Sequence, residues 1–247
     1  KNYVFIFLLY KMPLYIILSL FFLPFFMLNK NFLIKEFSFY KNLIYIFIQI
    51  FFPIFLILIT GTALSDGIRY ILYIIPFVCL IASISIFYIF NLNHIFYKFL
   101  KLIFIFLFIY NFVIFLSLTP YQYTFINNLN GKFTNNLNKF ENDYWGASIK
   151  ELLANAKDKN IFAIKKNYKI ATCGLHSSIV KFYLNKDFDI KYKFVNNNEE
   201  YDYIFFINRV YITTNNISDP QTCYNKFNNK NIVNVIRNGL PIAFISN

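Results

Sequence analysis

The sequence is poor in the residues from which nucleotide and metal sites are built. It has six glycines, two histidines and three cysteines among 247 residues. No glycine-rich stretch has the spacing of a dinucleotide-binding loop or a P-loop, so a nucleotide-binding fold is not expected. Acidic residues are also scarce, with 12 Asp and Glu against 24 Lys and Arg. The basic residues are scattered and accompany no nucleic-acid-binding motif, so nucleic acid is not an expected partner.

Long apolar runs are abundant, and they are concentrated before residue 119. The whole chain is 57% hydrophobic, and its mean hydropathy is +0.46. A helix of about 20 apolar residues crosses a bilayer, so residues 1–118 predict a transmembrane helical bundle and not a soluble core. The runs are apolar on all sides, as is typical of helices in contact with lipid. We expect about four transmembrane helices, at about 12–28, 42–60, 70–91 and 99–118. The first of them belongs to a longer apolar run within 3–28 that Lys11 and Pro13 interrupt.

The short connections between these runs predict the orientation of the chain. Loops 29–41 and 92–101 contain most of the Lys residues of the first half, whereas the only charged residues of loop 61–69 are Arg69 and Asp66. Positively charged loops stay in the cytoplasm, so the sequence predicts a multi-pass membrane protein whose second half is extracytoplasmic. The lysines that decide this are Lys30, Lys35, Lys41, Lys98 and Lys101.

Residues 119–247 predict a small α/β domain, which would be periplasmic in a Gram-negative cell. Apolar residues recur at helical spacing after Ser148, and short β-like runs alternate with a second helical segment. The dipeptide Asn238-Gly239 between two apolar runs is typical of a β-hairpin. The predicted helices are 148–159 and 176–184, and the predicted strands are 168–173, 189–195, 202–208, 232–236 and 241–246.

The cysteines leave two interpretations open. Cys79 falls in a predicted span, so Cys173 and Cys223 are the disulfide candidates outside the membrane, where disulfides form. The alternative is a metal site formed by Cys173, His176 and Cys223, although a fourth ligand is missing from this pattern. Proximity of the two thiols cannot be deduced from the sequence.

Loop 61–70 is the most polar feature of the membrane half. Asp66 and Arg69 lie where a long apolar run begins, at the predicted outer surface. Arg is suited to binding phosphate through several hydrogen bonds, so one interpretation is recognition of a lipid phosphate. The other interpretation is that the two side chains pair or reach the water at the interface.

The second polar feature is the segment 140–146, which contains the one Trp of the chain beside two acids. Aromatic rings beside carboxylates can bind a sugar by stacking and hydrogen bonding, which would make Asp143, Tyr144 and Trp145 substrate-facing. Alternatively, Tyr144 and Trp145 anchor the chain at the interface or fill a core, and Asp143 caps the following helix.

Four segments, taken in order, resemble the C-terminal part of a bacterial polytopic glycosyltransferase of the GT-C type. The similar branch contains protein O-mannosyltransferases and the lipopolysaccharide-modifying transferases of rhizobia. DGIRY at 66–70, before an apolar run with Pro76, is similar to the outer-loop Arg and helix of that family. PYQY at 120–123, FENDYWGAS at 140–148 and NGLPIA at 238–243 resemble three further family segments, of which FExDYWGxS is the most specific.

The resemblance implies transfer of a sugar from a polyprenyl-phosphate donor to an envelope acceptor, which is a glycan, a lipid or a protein. It implies a donor-phosphate contact at Arg69, with Asp66 nearby, and an acidic residue in a first external loop that acts as the base or orients the acceptor. No such loop is found here, and the chain begins at Lys1 within an apolar run. We therefore expect a fragment, with the catalytic residue upstream of Lys1 and the four helices at the end of a larger bundle.

The resemblance assigns no role to the acid and the aromatics of segment 140–148. No organic cofactor is predicted, and a divalent metal is left open. The alternative to an enzyme is a non-enzymatic membrane protein whose periplasmic α/β domain binds a partner or a glycan. A transporter would require more polar residues within the spans than Gln49 and Asn111.

Overall fold

The structure is a computed structural model that forms two compact units, Lys1–Ile114 and Phe115–Asn247. The residues described are 3–28, 37–61, 69–131, 143, 145–163, 167–196, 198–207 and 231–247.

The first unit is built from apolar helices. They are α1 (Tyr3–Lys11), α2 (Leu14–Leu28), α3 (Phe37–Thr60), α4 (Ile75–Asn91), which follows a 3₁₀ helix at Arg69–Ile74, and α5 (Ile95–Ser117). Three segments are long and apolar enough to cross a membrane, namely Lys41–Thr60, Ile71–Asn91 and Ile95–Ser117. The second, third and fourth predicted spans are thereby confirmed as long apolar helices.

The first predicted span is not one straight helix. Its helical segments Val4–Lys11 and Leu14–Phe25 meet at an angle of 114°. The break has a local cause, because Pro13 disfavours helical geometry at the residue before it, Met12. Helix α2 has 15 residues and is therefore about 22 Å long, which is less than the roughly 30 Å of a bilayer core. The bent pair is either one broken span or a re-entrant loop, so a fourth crossing is not shown.

The fourth predicted span begins earlier than expected. Helix α5 starts at Ile95, so Lys98 and Lys101 lie in its first two turns and not in a loop. His94 precedes the helix, and its Nδ1 accepts the N–H of Phe96 at 3.3 Å. Long Lys side chains on an end turn can reach the interface while their stems cover apolar surface.

Helix α4 has the most regular buried face of this unit. The buried residues recur every three or four positions, as expected for one side of a helix, and α4 packs against α2 and α3. An edge-to-face contact joins α2 to α5, with the ring centroids of Tyr15 and Phe108 5.7 Å apart. The buried residues of α4 are Val78, Ile81, Ala82, Ser85 and Ile89. The outward sides of α3 and α5 expose large apolar residues such as Phe52 and Phe106, which suits contact with lipid.

The second unit contains a five-stranded mixed sheet of order β2-β1-β3-β5-β4. Strand β1 pairs in parallel with β2 and β3, and β5 pairs antiparallel with β3 and β4. The helices and strands lie within three residues of their predicted limits. They are α6 (Ile149–Asp158), α7 (Ser177–Asp187), β1 (Asn167–Cys173), β2 (Lys191–Phe194), β3 (Tyr203–Ile207), β4 (Asn231–Arg237) and β5 (Leu240–Ser246).

Helices α6 and α7 supply the main apolar core together with the sheet. The four apolar residues that predicted α6 (Ile149, Leu152, Leu153 and Ala156) are all 0% exposed. They pack with Val180 and Leu184 of α7 and with sheet residues such as Phe205 and Ile245. A second buried cluster includes Phe206 and Phe244, whose rings stack across β3 and β5 with centroids 4.9 Å apart.

The C-terminal hairpin forms as the dipeptide predicts. Asn238 and Gly239 join β4 to β5, with φ angles of 48° and 72°. Both central residues of a type I′ turn have positive φ, which Asn and Gly adopt at the lowest cost. All seven residues of β5 are buried, because β5 lies between β3 and β4.

Candidate functional site

Arg69 lies at the start of the helical run that leads into α4. The backbone from Arg69 begins the 3₁₀ helix, and two residues of that helix, Ile71 and Ile74, are 1% and 0% exposed. Pro76 stands in the first turn of α4, where its fixed φ and missing N–H suit a helix start. Asp66 lies outside the described residues, so its proximity to Arg69 stays a prediction.

Asp143 is 0% exposed, and its carboxylate accepts four hydrogen bonds. Its Oδ1 accepts the Tyr123 hydroxyl and, at 3.1 Å, the Ala147 N–H. Its Oδ2 accepts the Ser148 hydroxyl and, at 2.9 Å, the Ser148 N–H. The carboxylate thus joins the segment after α5 to the turn before α6.

These four bonds explain the sequence around Asp143. A carboxylate has about four acceptor positions, and here protein donors supply four hydrogen bonds. Two of them come from N–H groups just before α6, where a negative charge is stabilised by the helix dipole. Of the two interpretations that the sequence left open, this geometry favours a structural role for Asp143.

Trp145 stands close to this carboxylate but differs from it in exposure. Its side chain is 54% exposed, and the next residue, Gly146, has a φ of +67°. A Cβ at Gly146 would lie 3.4 Å from the Ile179 side chain of α7. The Cβ would thus make an ordinary van der Waals contact, and the positive φ is the reason that glycine is favoured after Trp145. Tyr144 lies outside the described residues.

A second polar cluster, not predicted from the sequence, joins the hairpin to α6 and to the segment after α5. Arg237 donates from Nη2 to Glu151 at 2.6 Å and from Nε to the Thr119 carbonyl at 3.0 Å. Its guanidinium also lies 5.3 Å from the ring centroid of Tyr121. The two acid–base partners are 86 residues apart in the chain, so no local pattern marks them.

Tyr121 completes this cluster. Its hydroxyl donates to Glu151 at 2.9 Å, and the residue is 4% exposed. Burial raises the pKa of Tyr121 above its ordinary value, and the Glu151 carboxylate that accepts its hydrogen bond raises the pKa further. The positive charge of Arg237 acts in the opposite direction. The phenol is therefore neutral at physiological pH and serves as a donor.

Cys173 ends β1 and is disulfide-bonded, whereas Cys79 is a free thiol. Cys223 lies outside the described residues, so its pairing with Cys173 stays a prediction. The Nδ1 of His176 lies 2.7 Å from the Ser178 hydroxyl and accepts the Ser178 N–H at the start of α7. Within the described part of the chain, no three His, Cys, Asp or Glu residues are grouped as a metal site.

An open groove of about 800 Å³ lies at the amino ends of β1 and β2. Its charged side chains are of both signs, and Lys169 lies 3.9 Å from Glu200 in an exposed ion pair. The positive and negative charges are equal in number, so the groove attracts no ion of one sign. The charged lining residues are Lys169, Lys191, Lys193, Glu199, Glu200 and Asp202.

The fold defines a membrane protein with apolar helices long enough to span a bilayer and a small mixed α/β domain. Comparison of the chain with protein-family models, with curated proteins and with solved structures finds no match. The functional interpretation therefore depends on the residues described above.

Proposed function

We propose that this chain is the C-terminal part of a GT-C-type glycosyltransferase of a bacterial inner membrane. It would transfer a sugar from a polyprenyl-phosphate donor to an envelope acceptor on the outer face of that membrane. The observation on which the proposal depends is the ordered set of four family-like segments. By their positions in the chain, they precede α4, follow α5, precede α6 and cover the β4–β5 turn together with the first residues of β5.

The proposed chemistry needs charge stabilisation more than a nucleotide-binding fold. A carboxylate takes the proton of the acceptor hydroxyl, whose oxygen attacks the anomeric carbon as the bond to the lipid phosphate breaks. The leaving phosphate then gains negative charge, which a guanidinium at Arg69 would stabilise. The amino end of a helical run also favours an anion. The resemblance implies a carboxylate from a segment upstream of Lys1.

The proposed orientation follows from the Lys residues of the membrane half. The segments 29–41 and 92–101 would face the cytoplasm, and Arg69 would lie at the outer surface with Asp66. The α/β domain would then be periplasmic, and the bent α1–α2 pair would count as the first of four spans. Lys98 and Lys101 are consistent with this orientation, because both lie at the start of α5.

Substitution of Arg69 tests the phosphate role. In the complete polypeptide, we expect Arg69→Ala to reduce transfer from a radiolabelled polyprenyl-phosphate sugar by roughly a hundredfold, the typical cost of one charge-stabilising donor. Arg69→Lys should retain part of the activity, because an ammonium keeps the charge but loses the planar fork of donors.

Lys98→Ala is the matched control, since it removes a cation at the end of a span that would face the cytoplasm. We expect full transfer activity from this variant at equal expression. Wild-type turnover in Arg69→Ala would contradict the phosphate role.

The non-enzymatic alternative has one observation in its favour. The described acid of segment 140–148, Asp143, is used by hydrogen bonds within the domain and not by an open site. A chain that only binds a glycan or a protein partner would need no catalytic acid. An absence of sugar transfer by the complete, folded polypeptide with every polyprenyl-phosphate donor tried would favour this alternative.

A further inference from the structure

We propose that the α/β domain docks on the lipid bilayer through the exposed side chains of Tyr123, Leu129 and Trp145. We call these three residues the exit patch, because the chain reaches the first of them directly after α5. The occupant of the patch is the interfacial region of the leaflet in which α5 ends. This inference does not depend on the proposed enzymatic activity.

The connection between α5 and the exit patch is short and held by hydrogen bonds. The Thr119 N–H donates to the Leu116 carbonyl at 3.1 Å, and the Tyr121 N–H donates to the Leu118 carbonyl at 2.6 Å. A 3₁₀ turn at Gln122–Thr124 follows at once. Six residues span at most about 20 Å when fully extended, and these turns shorten the path. Tyr123 is thus tethered near the end of a membrane-spanning helix.

Trp145 is held beside this segment through Asp143. The Tyr123 hydroxyl donates to Asp143 Oδ1, and the same carboxylate accepts the N–H groups of Ala147 and Ser148 on the other side of Trp145. A single buried carboxylate therefore fixes two aromatic residues that are 22 positions apart in the sequence.

The three residues of the exit patch are exposed large side chains from the segment after α5 and the turn before α6. Tyr123, Leu129 and Trp145 are 37%, 50% and 54% exposed. Among the described residues that follow α5, the other exposed large apolar side chains are Phe182 and Ile236, which are isolated from each other in the sequence. Such isolated residues are common on any surface. Tyr123 and the turn that carries Trp145 are instead joined through Asp143, and Leu129 follows Tyr123 by six residues in the chain.

The chemistry of the patch fits a bilayer interface. Trp and Tyr have an apolar ring and a polar group, and both are enriched at the level of lipid headgroups. A protein partner would have to come from another chain, whereas a bilayer crossed by α5 would lie next to this segment. The lipid surface is therefore the partner that the position of the exit patch, directly after α5, favours.

The single Trp of the sequence makes the test direct. In the intact chain reconstituted into vesicles, we expect the emission of Trp145 to be blue-shifted. Lipids brominated near the headgroup should quench it strongly, lipids brominated near the chain ends should quench it less, and aqueous iodide should quench it weakly. Strong quenching by iodide, with no effect of brominated lipid, would overturn the proposal.

A matched variant moves the probe within the same domain. Phe182 is an exposed aromatic residue of α7, so the variant with Trp145→Phe and Phe182→Trp should show iodide quenching and no lipid quenching. A Leu129→Trp variant made in the Trp145→Phe background should report lipid again. A blue-shifted Trp145 that neither brominated lipid nor iodide quenches would indicate contact with protein, and would also overturn the docking surface.

Discussion

At the scale of single residues, Asp143 shows how one buried charge can organise a junction between segments. Its two oxygens divide four donors equally, and all four donors come from within the α/β unit. A buried carboxylate is stable only with such compensation. The acid of the FExDYWGxS-like segment therefore connects the segment after α5 to the turn before α6 by hydrogen bonds.

We predict that Asp143→Asn lowers the free energy of unfolding by about 3 kcal/mol, because an amide nitrogen replaces one acceptor and faces two buried donors. Thermal unfolding of the purified chain in detergent would measure the change. Asp158→Asn is the control, since Asp158 is an exposed acid at the other end of α6 and its replacement should shift stability by less than about 0.5 kcal/mol. Equal stability of the two variants would contradict the role of Asp143.

Sequence reasoning reached individual residues where the signal was local. The position of Asp143 before a helical pattern predicted a helix cap, and its carboxylate does bind two backbone N–H groups four and five residues away. These groups belong to Ala147 and Ser148, which precede α6, so Asp143 holds the turn before the helix and makes no cap bond to its first turn. The Arg237–Glu151–Tyr121 cluster has no such signal, because its members come from three distant segments. The contact that joins Tyr123 to Asp143 was missed for the same reason, since a separation of 20 residues produces no periodicity.

At the scale of elements, the hairpin depends most directly on two residues. Asn238 and Gly239 both have positive φ, and a Cβ built on Gly239 meets nothing within 4 Å. The cost of a side chain at position 239 is therefore a backbone cost and not a steric clash with the surroundings.

We predict that Gly239→Ala destabilises the chain by about 1 kcal/mol, because Ala pays for a left-handed conformation that Gly adopts freely. Gly239→Asn should cost clearly less, since Asn tolerates this region better than other side chains. Thermal unfolding midpoints of both variants provide the measurement. An Ala variant as stable as the Asn variant would show that the turn relaxes into another conformation.

The elements themselves were easier to predict than their order. Helix α6 follows from apolar residues three and four positions apart, and the β4–β5 hairpin follows from its turn. The sheet order β2-β1-β3-β5-β4 requires parallel pairs with long crossovers, and nothing local selects which strands become neighbours. The bend between α1 and α2 was visible only as an interruption at Pro13, since the proline marks a break without fixing its angle.

At the scale of the whole molecule, the two halves of the chain differ in their number of charged residues. Residues 1–118 contain 8 basic and 2 acidic residues, and residues 119–247 contain 16 and 10. Few charges in the first half leave the lysines near helix ends as the main determinant of orientation. The length and composition of α3, α4 and α5 support insertion in a membrane, but sidedness depends on those lysines alone.

We predict that a reporter active only in the periplasm is active when it is fused after residue 247, because the charge pattern directs the α/β domain outward. A reporter active only in the cytoplasm should be silent at the same position and active when fused within 92–94, before α5. Activity of each fusion at equal expression is the measurement. The reverse pattern would invert the proposed orientation, and with it the side of the membrane at which Arg69 meets a donor.

The position of β5 in the sheet has a consequence for biogenesis. Strand β3 pairs with β1 on one side and with β5 on the other. Because β5 is the last strand of the chain, the second of these neighbours exists only after residues 240–246 have been made. A chain synthesised from its amino end thus presents the apolar β3 segment, Tyr203–Ile207, as an open edge for about forty residues of further growth. Such an edge invites mispairing with other nascent chains. The sheet is complete only when the β4–β5 hairpin has been made. Premature termination within the hairpin would leave β3 without its β5 neighbour.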